Sequence, residues 1–402
     1  LIERTAGLVA FECHGDPGVA RPRADTAQSE ADRDKLTAAV LTREVPRVTG
    51  RWSFSAITAL DHNRLNPDDP SLGDHGSDDE DQGESAGADV PTPAGDAAGR
   101  AVGPTEVATA STTVTMPFGR LPAGPRFGTL VHSLFERCDF AADDPAVEVA
   151  GVLTDELAWQ PIDLTPRSLV SATHADGIEL LVDGMVRAFD TPLGDLFGGR
   201  RLGDFRRADR LDELSFELLV RPASTPLSDR DIGALIASHL ADDHPLAPWA
   251  AGLAEGRFGV DLAGHLTGSI DAIFRIESAE GSRFVVSDYK TNRLGAFDAE
   301  PDPFDYLGTN LDRAMTQHHY PLQALLYSVA LHRYLRSRLA GYDPDLHLGG
   351  IAYLFVRAMI GPNTPVVSGA TAGIWTWRPS SALITELSDL LHDDVASAGG
   401  TR

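Results

Sequence analysis

Two aspartates and one lysine pose the chemical question in this sequence. Asp271 lies in the run GSIDAIF, and Asp288 and Lys290 lie in VVSDYK, with a glycine-containing break between the two runs. Residues 268–276 carry Ile270, Ile273, Phe274 and Ile276, and residues 283–290 open on Phe284, Val285 and Val286. β-Branched and aromatic content of this kind favours strands. The spacing predicts a β-hairpin that turns through residues 278–282. Pairing the arms brings Asp271 and Asp288 to one end, and the two-residue period of a strand points Lys290 to the same face as Asp288. Two carboxylates beside an ammonium make a divalent-metal site with a positive group at hand, which is equipment for hydrolysing a phosphodiester. The same residues also suit an ordinary hairpin with an exposed polar end.

Lysine usage favours the chemical reading. Of the 34 Lys plus Arg residues, only Lys35 and Lys290 are lysines. Lysine is a compact point charge on a flexible stem, whereas arginine is a fixed planar fork. In a chain that otherwise chooses arginine, a lysine two residues after Asp288 suggests that ammonium chemistry is wanted there.

The elements that must position these groups follow from periodicity. Residues 126–140, RFGTLVHSLFERCDF, read as a helix whose Leu130, Val131, Leu134 and Phe135 form a buried stripe. His132 sits beside that stripe and is either a structural histidine or, if this helix crosses the acidic end of the hairpin, a metal ligand. Residues 145–197 are expected to be mainly helical, packed over the core. Residues 199–210 hold Arg200, Arg201, Arg206, Arg207 and Arg210, the densest basic cluster and the candidate phosphate-contacting surface, with a solvated loop as the alternative. Residues 213–220 read as a strand, in which Glu213 is a further carboxylate near the metal or, preferably, a surface acid. A long helical run is expected over residues 307–339, burying Leu322, Leu325, Leu326, Val329, Ala330 and Tyr334, with Gln323 and Tyr327 one turn apart. Residues 349–356 read as a strand covered on both faces, and 374–377 as a short edge strand. The element order implies an α/β sandwich with a mixed β-sheet flanked by helices.

Composition bounds the rest. The 402 residues are 42% apolar and 23% charged, enough for one large domain with extensions. Cys13 and Cys138 are the only cysteines, which excludes a disulfide framework and a four-cysteine metal centre and fits a reducing, cytoplasmic setting. No apolar run approaches the ~18 residues of a membrane span, so no membrane association is expected, and the first residues lack the signature of a signal peptide. The chain begins with Leu1, so a fragment of a longer polypeptide is expected. No P-loop pattern occurs, which assigns any ATP-driven step elsewhere. The net charge of −25 opposes a nucleic-acid partner at first sight, but residues 61–100 hold eleven acids against Arg64 and Arg100. Residues 67–105 are accordingly expected to be an acidic disordered linker. Residues 51–66, opening WSFSAITAL after Arg51, are expected to be a strand end or the start of a helix that docks on the main domain.

The ordered set RFGTLVHSLFE, GSIDAIF, VVSDYKTNRLG, YPLQALLYSVALHRYL and GGIAYLFVRAM resembles the C-terminal nuclease domains of the RecB family. These are the beta subunits of bacterial helicase–nucleases (exonuclease V) in the PD-(D/E)XK superfamily, and the likeness runs over residues 51–378. It implies a PD-(D/E)XK restriction-endonuclease-like core at residues 106–395, with residues 1–50 the tail of a helicase-side region. It implies that Asp271 and Asp288 ligate Mg²⁺ together with His132 and the main-chain carbonyl of Tyr289. Lys290 would orient or activate the attacking water, and Gln323 and Tyr327 would line the DNA path. The implied activity is a magnesium-dependent exodeoxyribonuclease working in double-strand break repair and recombination on single strands fed from a duplex end. The implied partners are RecC- and RecD-like subunits, with RecA as a further contact. The cysteine-bound iron–sulfur cluster of AddB-type relatives has no counterpart in a chain with two cysteines. Two other readings stay open: a PD-(D/E)XK nuclease of another repair pathway, and a non-catalytic DNA-binding or assembly module that keeps the fold.

Overall fold

The structure, a computed structural model, describes residues 50–65, 116–167, 171–222, 224–278, 281–295 and 300–392. The expected acidic linker and nearly all of residues 1–50 lie outside the described residues. In chain order the elements begin with strand β1 (Gly50–Trp52) and helix α1 (Phe54–Leu65), then helices α2 (Pro125–Arg137), α3 (Pro145–Trp159) and α4 (His174–Phe189). Strands β2 (Arg210–Leu219) and β3 (Leu227–Ser228), helices α5 (Asp229–Ser238) and α6 (Ala247–Ala254), and strand β4 (Asp261–Leu262) follow. The hairpin arms are β5 (Gly264–Ser278) and β6 (Gly281–Lys290). Helices α7 (Gly308–Gln317), α8 (Tyr320–Arg338) and α9 (Pro344–His347), strands β7 (Leu348–Phe355), β8 (Val366–Val367), β9 (Ala370–Thr371) and β10 (Ile374–Trp377), and helix α10 (Ser381–His392) complete the set.

Strand β5, at 15 residues, is the spine of a mixed sheet. Along one edge it pairs antiparallel with β2, and along the other it pairs antiparallel with β6 and, near its start, parallel with β1. Strand β6 continues parallel to β7, and β7 antiparallel to the edge strand β10. Both faces are covered. One apolar layer joins the sheet to residues of α1, α5, α6, α8 and α10, and the other joins it to α2, α3 and α4. This double cover explains why β7 is almost continuously apolar: from Ile351 to Phe355 every residue is buried. The mixed α/β architecture agrees with a PD-(D/E)XK-like core.

Some expectations need correction. The hairpin arms are longer than expected, running over Gly264–Ser278 and Gly281–Lys290. The single helix expected over 307–339 is two helices, broken at His318–His319, where His319 takes a left-handed φ of 57°. Pro321 explains the break: it is well placed in the first turn of α8, but inside a continuous helix it would remove a hydrogen bond and clash with the preceding turn. Tyr334, expected on the buried side, is 37% exposed. Residues 51–60 satisfy both offered readings, since the chain ends a strand at Trp52 and starts α1 at Phe54.

Candidate active site

The hairpin register builds the site. Ala272 pairs with Ser287, and the next step of the same antiparallel register sets Asp271 across from Asp288. Lys290 ends β6 on the face of Asp288, and its Nζ lies 2.7 Å from Asp288 Oδ2. Asp271 Oδ2 accepts the Tyr289 backbone N–H at 2.8 Å, which ties the two arms together. Helix α2 starts with Pro125 in its first turn and buries Leu130, Val131, Leu134 and Phe135. That packing carries His132 over the hairpin end, with Nδ1 3.3 Å from Asp271 Oδ2. Phe135, one turn further on, stacks on Tyr289 with ring centroids 4.0 Å apart and fixes the helix against β6. The structure therefore brings His132, Asp271, Asp288, Tyr289 and Lys290 together at one end of the hairpin.

The groups are buried: His132 is 7%, Asp288 2% and Lys290 3% exposed. Burial opposes every charge here, so the ionisation states are set by partners. Burial alone would lower the His132 pKa, but the Asp271 carboxylate, helped by Asp288, overrides it and raises it to about 9. Asp271 is held below the usual carboxylate range despite burial, through His132, Lys290 and the Tyr289 N–H. Asp288 is pushed up to about 7 by burial and by Asp271, against the pull of Lys290. Lys290 is held firmly protonated, because Asp288 and its neighbours outweigh its own burial.

Neither short ion pair is aligned as a hydrogen bond. His132 Nδ1 and Asp288 Oδ2 are both buried polar atoms without a hydrogen-bond partner. Both atoms nevertheless face an oppositely charged partner, His132 Nδ1 facing Asp271 and Asp288 Oδ2 facing Lys290. Two carboxylates, an imidazole and the Tyr289 carbonyl are suitable donors for a hard divalent cation that keeps several waters. Among the described residues, however, no three His, Cys, Asp or Glu side chains converge as they stand. As the site stands, His132 faces Asp271 and Lys290 faces Asp288, each carboxylate opposite one cationic partner.

Glu213 was the carboxylate that pattern reasoning undervalued. It is half-buried, not a surface acid, and the β2–β5 register passes it at the level of Asp271. Its backbone departs from the strand with φ 48°, and Ser269 Oγ donates to its Oε2 at 2.7 Å. Burial, with the nearby Asp271 charge, raises its carboxyl pKa to about 7. A strained non-glycine conformation in mid-strand is a common mark of a functional position.

The remaining expected contacts sit differently. Gln323 and Tyr327 are buried at 6% and 3% exposure, and Gln323 Nε2 donates to the Tyr327 hydroxyl at 2.9 Å. In the basic cluster, Arg201 pairs with Asp190 and Asp204, and Arg200 lies over the Phe205 ring while donating to the Asp204 carbonyl. Arg207 reaches Asp212 at 3.4 Å and also donates to the Arg137 carbonyl. Arg210 is buried over Phe140 and donates to the Cys138 carbonyl. Arg206 is exposed. Most of this cluster's charge is thus answered within the protein. No described helix is long and apolar enough to cross a membrane.

Comparison with known proteins gives a consistent picture. No protein-family model matches the chain. It is 42% identical over 284 residues to the RecBCD enzyme subunit RecB of Mycobacterium tuberculosis, covering 69% of this chain and 24% of that protein. The corresponding subunit of Mycolicibacterium smegmatis is 41% identical over 289 residues, covering 70% of this chain and 25% of the relative. That of Escherichia coli is 31% identical over 277 residues, covering 67% and 19%. The chain therefore spans about a quarter or less of the length of these curated relatives.

Proposed function

The chain is a RecB-like protein, and we propose that it is the part of such a protein that cuts DNA, a magnesium-dependent exonuclease module. The observation that carries this reading is the juxtaposition of Asp271, Asp288 and Lys290 at the hairpin end with His132 delivered from α2. His132, Asp271, Asp288 and the Tyr289 carbonyl would hold Mg²⁺. Bound there, the ion would polarise the scissile phosphate and acidify a water molecule. Lys290 contributes from the protein side: its buried Nζ can hold the attacking water in line and stabilise negative charge developing on the phosphate. Lys290 stands 2.7 Å from Asp288 Oδ2, so the ammonium would lie beside whatever Asp288 holds.

The relatives are named as subunits of the RecBCD enzyme. On that basis the module would act in DNA repair and recombination beside RecC- and RecD-like subunits, on strands delivered from a duplex end. The decisive experiment is Asp288→Ala. Magnesium-dependent cleavage of single-stranded DNA is expected to be lost while the circular dichroism spectrum and cooperative melting persist. Retained cleavage by that variant would overturn the assignment.

A further inference from the structure

Gln323 lies one turn before Tyr327 on α8, yet neither side chain reaches an open surface. Gln323 Oε1 accepts the Tyr353 hydroxyl at 2.9 Å, and its Nε2 donates to the Tyr327 hydroxyl at 2.9 Å. Tyr353 sits on β7 beside Asp288 in the parallel β6–β7 register, so its ring shares the sheet face of the reacting groups. The same hydroxyl lies 3.2 Å from the Tyr320 carbonyl, and the Tyr353 and Tyr320 rings stack at 5.4 Å and 21°. Lys290 Nζ lies over these two rings, 4.4 Å from the Tyr320 centroid and 5.6 Å from that of Tyr353. The chain of contact runs without a gap from Gln323 through Tyr353 and Tyr320 to the ammonium.

We propose that Gln323, with Tyr353, is a positioning residue that fixes the aromatic cradle of Lys290 and makes no contact with DNA. The proposal rests on the nuclease reading of Lys290. A lysine ends in a point charge on four flexible carbons, so its ammonium does not find one water by itself. Aromatic faces attract the cation but leave it free to slide; they guide it only if the rings themselves are fixed. Tyr353 can be fixed through its hydroxyl, and Gln323 supplies the acceptor. Tyr327 locks the carboxamide from the other side, its own ring packed edge-on to Phe216 at 5.9 Å. A displacement of ~1 Å at a reacting group costs roughly 10²-fold in rate, so losing this brace should cost about tenfold.

The test uses Gln323→Met, close to Gln in shape and without its polar atoms, and Tyr353→Phe, which removes one hydroxyl. Both are compared with the full chain in single-turnover cleavage of a labelled single-stranded DNA. Expected is a fall in kcat of about tenfold in each variant, with KM and DNA affinity (anisotropy, Ca²⁺ in place of Mg²⁺) within about twofold. A second readout needs no activity. Because Lys35 and Lys290 are the only lysines, ¹³C-lysine labelling gives two sets of side-chain signals, assigned with Lys290→Arg. The Lys290 methylenes should be displaced by the tyrosine ring currents and should relax toward the shifts of a lysine in an unstructured peptide in both variants. A raised KM in Gln323→Met, with Tyr353→Phe at wild-type rate and the Lys290 signals unmoved, would show that Gln323 touches DNA and would overturn the proposal. If the wild-type chain cleaves nothing, the nuclease reading fails, and the Lys290 signals still decide the brace. Should Gln323→Met not fold, Tyr353→Phe carries both readouts.

Discussion

The pair His132–Asp271 makes a quantitative demand on the metal-free protein. With its pKa raised from 6.5 to about 9, His132 binds its proton more tightly in the folded chain than in the unfolded one. Its stabilisation is therefore fully present below pH 6.5 and is lost as pH rises through about 9. The difference corresponds to about 3 kcal/mol at ~1.4 kcal/mol per pKa unit. Spread over the unfolding entropy of a domain of about 300 residues, the full loss is a fall in Tm of ~5 °C, about half of which falls between pH 7.5 and 9. Asp288 and Glu213, both raised to about 7, also weaken the fold as pH rises, but their windows open near the ordinary carboxylate range and close around neutrality. From about pH 7.5 to 8.5 His132 therefore dominates the slope, and above that Cys138, whose thiol burial pushes up to about 12, adds to it as the unfolded thiol ionises. The assay is thermal unfolding in EDTA across this interval, for wild type and for Asp271→Asn. The variant leaves His132 with its burial but without its principal counter-charge, so the slope should vanish. Saturating Mg²⁺, by taking the place of the proton, should flatten the wild-type curve as well. Wild-type stability that holds or climbs from pH 7.5 to 9, or an unchanged slope in Asp271→Asn, would refute the reasoning.

Three further predictions concern the frame around the site. Asp61 on α1 is buried and accepts from Arg257 Nε at 2.8 Å while lying 2.9 Å from His319 Nε2, at the junction of α7 and α8. Asp61→Asn should cost roughly 3 kcal/mol, seen as a lower urea midpoint, because it leaves buried donors with a weaker partner. A Cβ on Gly177 would lie 1.8 Å from the Leu164 carbonyl oxygen, whereas one on Gly151 would meet open space. Gly177→Ala should therefore destabilise by more than ~2 kcal/mol, and Gly151→Ala, on exposed α3, should stabilise by ~0.5–1 kcal/mol. Equal effects of the two in calorimetry would contradict the packing. Arg357, 1% exposed, donates to the carbonyls of Thr291, Phe118, Leu121 and Pro122 and so ties the end of β6 to the segment before α2. Arg357→Met should cost at least ~3 kcal/mol by stranding those carbonyls, and a melt within ~1 kcal/mol of wild type would show that water replaces them.

How much of this could be read beforehand depended on the range of the signal. Asp271, Asp288 and Lys290 were legible because a hairpin repeats with period two and its register is local. The break before α8 was equally local: Pro321 announced it, and the apolar run on either side concealed it. The arginines of residues 200–207 read equally as a phosphate-contacting surface and as a solvated loop, and their partners Asp190, Asp204 and Asp212, all close in sequence, show how much of their charge is paired within the fold. His132 needed more, because its approach to Asp271 is decided by the docking of α2 against β6 through Phe135 and Tyr289, and the helical stripe says only which face is buried. Gln323 needed a partner on β7, 30 residues away, to show that its amide faces inward.

Glu213 is the most instructive case. Strand alternation gives each residue of β2 a face, and Glu213 breaks that alternation through a backbone angle of 48° that no run of side chains encodes. A glutamate gains nothing intrinsically from that conformation, which costs of order 1–3 kcal/mol outside glycine. The surrounding β2–β5 pairing resumes on both sides, at Asp212 with Ala272 and Leu214 with Ile270, so the departure is held in place by the sheet rather than by fraying. What the departure achieves is visible in the electrostatics: a third carboxyl group, neutral or charged around pH 7, enters the field of Asp271. The charge of Asp271 and that of Glu213 oppose one another, so ionising the second against the first costs free energy, and the sheet holds Glu213 where that cost is felt.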